Sequence, residues 1–383
     1  MPSASKRNKS IPLNLIEQSE RALRICNACR YCEGFCAVFP ALERRTEFKE
    51  PDINYLANLC HDCGECYYSC PYAPPHEFAL NLPKTLAEVR REAYRKYAWP
   101  GMFKNLFNRS GLSLLIGALL APIVVLLSIY AWSGGAALST AYSVEEGSFY
   151  RVVPHTVMIG IFGAIGSLVL LAFTVGLIRF WKDMGEPLAS LLNVRAMTRA
   201  KLDAFGLRYL DGGGDGCAYP DEMPSQARRW FHHLTFYGFL LCLGATTVAA
   251  IYHNLYGYVA PYPFWSVPVV LGTVGGAGLL VGPLGLLWQK TVRNPELADR
   301  GQTGLDITFL VMLFLTSLTG FLLLIFRESA AMGVILAVHL GIVLGLFVTF
   351  PYGKMVHGIY RFAALVRNAL EKQGRAAWQR GAK

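Results

Sequence analysis

Eight of the ten cysteines could bind iron, because they form two copies of one ligand pattern. Both copies read C-x2-C-x2-C-x3-C, and their members are Cys26, Cys29, Cys32 and Cys36, then Cys60, Cys63, Cys66 and Cys70. This spacing is typical of chains that bind two [4Fe–4S] clusters, in which the fourth cysteine of each run ligates the other cluster. The sequence therefore predicts one cluster on Cys26, Cys29, Cys32 and Cys70, and another on Cys60, Cys63, Cys66 and Cys36.

Zinc and disulfide bonds are the alternatives for these thiols. A zinc site uses pairs of cysteines, so a run of four has no use for the extra thiol. Disulfides need an oxidising compartment, whereas residues 1–10 are polar and no apolar run follows, unlike a signal peptide. The remaining cysteines are Cys242, expected as a small core residue, and Cys217, which is either a reactive thiol or an inert one.

Six of the eight histidines lie in or at the ends of apolar segments. They are His155, His232, His233, His253, His339 and His357. An ionisable side chain in such a segment is costly and usually functional. His339 and His357 are separated by about five helical turns and share a face, while His253 lies about 60° from the face of His232 and about 160° from that of His233.

If these helices are antiparallel, His253 is opposite His339 and His232 is opposite His357, with His233 as the alternate to His232. Each pair could hold the iron of a b-type haem from both sides, which suits electron transfer because no open position remains. The sequence thus predicts one or two haem b groups. The alternative is that these histidines cap helices or hydrogen bond to neighbours. His155 could replace His339 as a ligand, contribute to a quinone site, or be an interfacial residue.

The composition indicates a membrane chain, since 53% of the residues are hydrophobic and only 16% are charged. Six apolar segments are each close to the roughly 20 residues that a membrane-crossing helix needs. We place them near 112–132, 155–178, 232–253, 266–288, 305–326 and 332–351.

Basic residues alternate between the loops in the way that six spans require. The loop at 179–231 and the tail at 359–383 are basic, whereas the loop after the first span holds Arg151 with Glu145 and Glu146, and 254–265 has no charge. Arg109 precedes the first span and Lys383 ends the tail. By the positive-inside rule, both termini and the clusters face the cytoplasm, and the chain is a multi-pass protein of the inner membrane. The basic residues behind the net charge of +10 are interpreted as signals that set membrane topology and as contacts to lipid, and no nucleic-acid partner is predicted.

The predicted fold is all-α: a ferredoxin-like domain with two clusters over 1–108, a cytochrome-b-like six-helix bundle over 109–358, and the basic tail. Apolar residues Ile53, Leu56 and Leu59 have helical spacing, and residues 84–98 predict a basic helix at the membrane surface. Glycines in two spans predict close helix packing. They are Gly160, Gly163 and Gly166, and Gly272, Gly275, Gly276 and Gly278.

Three segments resemble the tricarballylate/citrate utilisation protein B family (TcuB, CitB). They are CNACRYCEGFCAVFPA (26–41), CHDCGECYYSCPYAPPHEFALNLPK (60–84) and RRWFHHLTFYGFLLC (228–242). The resemblance covers nearly the whole chain, and the APPHEF extension (73–78) makes it specific. Related CobZ proteins carry a similar portion fused to a flavoprotein. The paired-histidine half also resembles, in architecture alone, the di-haem subunit of respiratory nitrate reductase.

The resemblance implies an electron-transfer component of a flavoprotein:quinone system, not a substrate-converting enzyme. A soluble FAD-dependent dehydrogenase oxidises tricarballylate, and a TcuB-like protein reoxidises its flavin and delivers electrons to quinone. Because the chain has no G-x-G-x-x-G motif, the flavin is expected in the partner, with APPHEF at the docking surface. His76 and Glu77 are equally compatible with simple loop residues. Three alternatives remain: quinol oxidation that drives a cytoplasmic reductase, a redox-sensing transporter or channel, and a membrane half that only anchors.

Overall fold

The computed structural model describes residues 11–108, 111–142 and 147–381, which are mostly helical. The expectations for residues 1–10, Arg109, Glu145, Glu146 and Lys383 lie outside this part of the chain. The α-helices are α1 (Leu13–Cys29), α2 (Val38–Leu42), α3 (Glu50–Leu59), α4 (Glu65–Tyr68), α5 (Leu82–Tyr97), α6 (Gly111–Ser133), α7 (Ala136–Ser139), α8 (Ser148–Val152), α9 (His155–Asp183), α10 (Val194–Phe205), α11 (Ala227–Tyr256), α12 (Val267–Val292), α13 (Arg300–Phe326), α14 (Met332–Thr349) and α15 (Val356–Gly381). One short antiparallel ladder pairs β1 (Cys217–Ala218) with β2 (Pro224–Ser225), so the helical prediction holds apart from this ladder.

Within the described residues, six helices are long and apolar enough to cross a membrane, as predicted. They are α6, α9, α11, α12, α13 and α14, the last continued by a short turn to Tyr352. Large apolar side chains such as Leu120, Leu127 and Leu170 are exposed on the outer faces of these helices. A helix that is apolar all round is stable only when lipid or protein covers it.

The glycines explain part of the helix packing. A Cβ at Gly275, Gly276 or Gly278 would come within 2.8, 2.9 and 2.8 Å of atoms of a neighbouring helix. The predicted close approach is therefore confirmed for α12, which packs against α11 and α13. The prediction is wrong for Gly160, Gly163 and Gly166 of α9, where a Cβ would meet nothing within 4 Å. Glycine permits a close approach, but it does not determine which helix lies nearby.

The N-terminal domain packs α1, α3 and α5 around one core. Helix α3 begins with Pro51 in its first turn, flanked by Glu50 and Asp52, which suit the positive end of the helix dipole. Helix α5 confirms the predicted helix, and its place near the membrane surface stays a prediction. Its face with Leu86 and Val89 is fully buried, and it contacts α1, α3, α9 and α13 between the N-terminal domain and the bundle.

The C-terminal helix and two loops gather at the end of the bundle that carries the cysteines. Helix α15 packs against α3 and α10, and Glu371 forms ion pairs with Arg44 at 2.8 Å and Arg45 at 2.5 Å. The loop predicted at 179–231 contains α10 and the β1–β2 ladder. The tail is thus the continuation of a helix docked on the N-terminal domain. The predicted domain boundaries stay a prediction.

Candidate functional site

The first cysteine run is positioned by the end of α1. Cys26 and Cys29 lie in its last turn, and Arg30 adopts a left-handed conformation (φ 56°) that turns the chain toward Cys32. Cys36 lies two residues before α2, where the backbone N–H groups of Val38 and Phe39 lower the pKa of its thiol against the larger effect of burial. Amide donors at a helix start stabilise a thiolate.

The second run is positioned by α3 and α4. Helix α3 ends at Leu59, so Cys60 begins the loop, and Cys66 lies in α4. Gly64 has φ +84°, and a Cβ there would lie 2.7 Å from the carbonyl oxygen of Ala218. Only glycine fits this position, because the chain is left-handed and the β1 strand lies directly against it.

The eight cysteines surround two adjacent cavities. The first cavity is lined by Cys26, Cys29, Cys32, Cys66 and Cys70. The second is lined by Cys36, Cys60, Cys63 and Cys66. Cys70 therefore joins the first run and Cys36 joins the second, which is the exchange that two clusters require. Cys66 borders both cavities.

These thiols are arranged for a bound cation. Burial raises the pKa of Cys26 to about 12, with further contributions from Cys70, Cys32 and Cys29. Burial also raises the pKa of Cys36 well above its usual range. A coordinated metal reverses this effect, because its charge stabilises the thiolates. In the described part of the chain no three His, Cys, Asp or Glu side chains converge on a single ion.

His232 on α11 and His357 on α15 lie close together. Their ring centres are 6.3 Å apart, and the ring planes are inclined by 73°. Two imidazoles that ligate one metal from opposite sides need about 6.4 Å, since each nitrogen lies about 2 Å from the metal and about 1.2 Å from its ring centre. The distance between the two rings therefore fits a bis-histidine haem iron.

The hydrogen bond of His357 also fits metal ligation. Nδ1 of His357 donates to the carbonyl oxygen of Lys354 at 2.7 Å. The proton is therefore on Nδ1, and the lone pair of Nε2 is free to bind a metal. Burial, with the nearby cations Lys354 and Arg361, holds the pKa of His357 well below its usual range, so the ring is neutral. Nδ1 of His232 has no hydrogen-bond partner.

The outer histidines depart from the predicted pairing. The ring of His253 lies against that of His155, with centres 3.5 Å apart, and Tyr150 lies at 5.0 Å from each ring. His339 instead approaches Oγ1 of Thr319 on α13, at 3.0 Å from Nδ1. The spacing between His155 and His253 is too short for a metal ligated from both sides. The predicted shared face of His339 and His357 is wrong, because α14 ends at Thr349 and His357 lies on a separate helix, α15. Helical register also could not identify which helix faces His253.

His233 does not join the inner pair. Its ring packs near Trp230, at 6.1 Å, and Tyr237, at 5.7 Å. The structure thus places His232, and not its neighbour, opposite His357.

Cys217 belongs to the surroundings of the second cavity, which the sequence did not indicate. It is fully buried in one cluster of side chains with Cys63, and its thiol donates to the Leu210 carbonyl at 3.2 Å. Its glycine-rich loop has no ligand spacing that could have revealed this contact.

Comparison with known proteins gives two family matches and one curated relative. The family described as Citrate utilization protein B matches residues 107–378, and that described as Citrate utilization protein B Fer4-like domain matches residues 19–96. A curated protein from Escherichia coli, Citrate utilization protein B, is 48% identical over 355 residues, covering 92% of each chain. No solved structure matches this chain. The chain therefore belongs to the Citrate utilization protein B family, as its cysteine runs and apolar helices indicated.

Proposed function

We propose that this protein reoxidises the reduced FAD of a partner flavoprotein dehydrogenase and delivers the electrons to membrane quinone. The observation that carries the proposal is the series of sites at one end of the bundle: two cysteine-lined cavities followed by the facing rings of His232 and His357. When bound, two [4Fe–4S] clusters and a b-type haem would exchange single electrons, which connects a two-electron flavin to a membrane carrier.

The residues of the chain have distinct tasks in this proposal. The cysteines hold two clusters at adjacent positions, and the amides at the start of α2 offset the negative charge near Cys36. His232 and His357 would hold one haem iron between them, which would leave no open position for oxygen. The pair formed by His155 and His253 does not fit a second haem in this arrangement. We therefore propose one haem b.

The partner flavoprotein is proposed to dock beside the first cavity. Tyr31, which is 66% exposed, lines this cavity, and Phe78 is partly exposed on the neighbouring loop. The rings of Tyr72, His76 and Phe78 contact one another, and Arg21 donates to the Phe78 carbonyl at 3.3 Å. Exposed, rigidly held aromatic side chains are typical of protein contact surfaces. This assigns the APPHEF segment to recognition, with His76 in a structural role.

We propose that the cysteine-bearing end of the bundle is cytoplasmic and that the six helices cross the inner membrane. The loop at 179–231 and helix α15, which are both basic, lie at this end. Basic loops are retained on the cytoplasmic side. The matched relative is named for citrate utilization, so a dehydrogenase of a tricarboxylic acid such as tricarballylate is the proposed partner.

The proposal is tested by mixing anaerobically purified protein with a reduced tricarballylate dehydrogenase and a quinone analogue. Flavin absorbance should return to its oxidised value only when all three components are present. The Cys63→Ser variant should abolish this reaction, whereas Cys242→Ser should not, because Cys242 lies in α11 away from the cavities. A flavin that stays reduced with iron and haem fully loaded contradicts the proposal. Net reduction of the flavin by quinol would indicate the reverse direction.

A further inference from the structure

The two helices that carry the inner histidine pair each carry an arginine one turn away. Arg228 and His232 lie on α11, and His357 and Arg361 lie on α15. Residues four apart on a helix share a face. Each helix therefore presents one guanidinium and one imidazole in the same direction, about 6 Å apart along its axis.

Both arginines bind the loop of the second cysteine run. Arg228 donates to the carbonyl oxygens of Asp62 at 2.6 Å and His61 at 3.1 Å. Arg361 donates to the carbonyl oxygen of Cys60 at 2.7 Å. The loop that begins the second run is thus held directly on the cytoplasm-facing side of the histidine pair.

A third guanidinium reinforces this contact. Arg90, which is 2% exposed, donates to the carbonyl oxygen of Ala57 at 2.9 Å. Asp62 is paired with Arg293 at 3.2 Å. Among the described residues, Arg90, Arg228 and Arg361 donate to carbonyl oxygens and form no ion pair with a carboxylate. The carboxylates at this site are Asp62, which is paired with Arg293, and Glu65, which lines the second cavity. The guanidiniums outnumber these carboxylates, so net positive charge remains beside the second cavity.

The first run lacks this arrangement. Its nearest arginine, Arg30, lines the first cavity but donates to the carbonyl of Asn27 in an exposed position. Solvent screens an exposed charge far more than a buried one. The two cysteine runs thus differ in their electrostatic surroundings although their ligand spacings are identical.

We propose that Arg228 and Arg361 make the cluster of the second run the one that supplies the histidine pair, by fixing its position there and by raising its reduction potential above that of the first run. This inference rests on the proposed function. Cluster reduction adds negative charge, which buried positive charge stabilises. One electron leaves the first cluster and enters the second, while no bond forms and no proton moves. Arg228 and Arg361 are positioning residues and do not touch a reacting atom.

The test is an EPR-monitored redox titration of the intact purified protein. Cys70→Ser and Cys36→Ser variants assign the two signals to the first and second clusters. We expect Arg228→Gln and Arg361→Gln each to lower the ratio of reduced to oxidised second cluster about tenfold at fixed potential, which is about 59 mV for one electron. The first cluster should not change. The control Arg24→Gln, an exposed arginine paired with Glu20, should change neither.

Conservative variants separate position from charge. Arg228→Lys and Arg361→Lys keep the positive charge but lose the planar guanidinium that holds the loop. The reduction potential of the second cluster should therefore stay near wild type, while reduction of the haem measured by stopped flow should slow. Equal shifts of both clusters, or a shift of the first alone, would overturn the inference. If both EPR signals were present and neither reduction potential shifted in the arginine variants, the inference would be overturned and the proposed function would stand. Absence of iron–sulfur signals in iron-replete protein would overturn both.

Discussion

His253 lies against His155, with ring centres 3.5 Å apart, whereas His232 keeps 6.3 Å from His357. Only the second distance leaves room for a metal between two imidazoles. The two ends of the bundle therefore present histidines for different tasks, although the sequence predicted equivalent pairs.

The haem assignment predicts which histidines are required for a b-type spectrum. His232→Ala and His357→Ala should each remove the reduced-minus-oxidised α-band, because the iron would lose an axial ligand. His233→Ala is the matched control: it is adjacent in sequence but packs against Trp230 and Tyr237, so the band should remain. His155→Ala should also retain it. A band that survives His357→Ala unchanged would contradict the assignment.

Exchange of the fourth ligand between the cysteine runs can be checked separately. Cys70→Ser should perturb the cluster that Cys26→Ser perturbs, because both residues line the first cavity. Cys36→Ser should perturb the cluster that Cys60→Ser perturbs. The measurement is low-temperature EPR of each reduced variant, with iron content as the loading control. If Cys36→Ser and Cys26→Ser affected the same signal, the exchange would be ruled out.

Asp306 holds two lysines at the inner end of α13. Its carboxylate lies 2.6 Å from Lys290 and 2.6 Å from Lys354. Asp306→Asn leaves both ammonium groups without a counter-ion and should destabilise the protein by about 3–5 kcal/mol. Thermal unfolding in detergent would measure this as a lower Tm. Lys290→Met preserves the pair with Lys354 and should cost less, so an equal loss in both variants would contradict this account.

Glu371 fastens α15 to the N-terminal domain. It accepts from Arg44 and Arg45, and the Tyr55 hydroxyl donates to it at 3.3 Å. Glu371→Gln should weaken this docking by about 1.5–3 kcal/mol, the usual contribution of a hydrogen bond to a charged group. Amide hydrogen exchange should then accelerate in the part of α15 that follows His357. Glu20→Gln is the control, since Glu20 pairs only with the exposed Arg24. Unchanged protection in Glu371→Gln would show that other contacts hold the helix.

Much of the fold was predictable because local patterns determine it. The apolar lengths of the six spans and the spacing of Ile53, Leu56 and Leu59 each reflect a periodicity that neighbouring residues create. The choice of His232 over His233 also followed from helical register. The prediction that glycines allow close packing of a neighbouring helix succeeded for Gly275 and failed for Gly160. Helical register gives the face on which a residue lies, but it does not say which helix packs against that face.

The sequence by itself determined the two four-cysteine runs and the long apolar helices, since cysteine spacing and apolar length are properties of short segments. Only the tertiary structure decided that α5 is buried, that His253 meets His155, and that Cys217 reaches Cys63. It also decided that Arg228 and Arg361 converge on one loop. These relationships join residues far apart along the chain, and they depend on how the helices pack together, which no local pattern specifies.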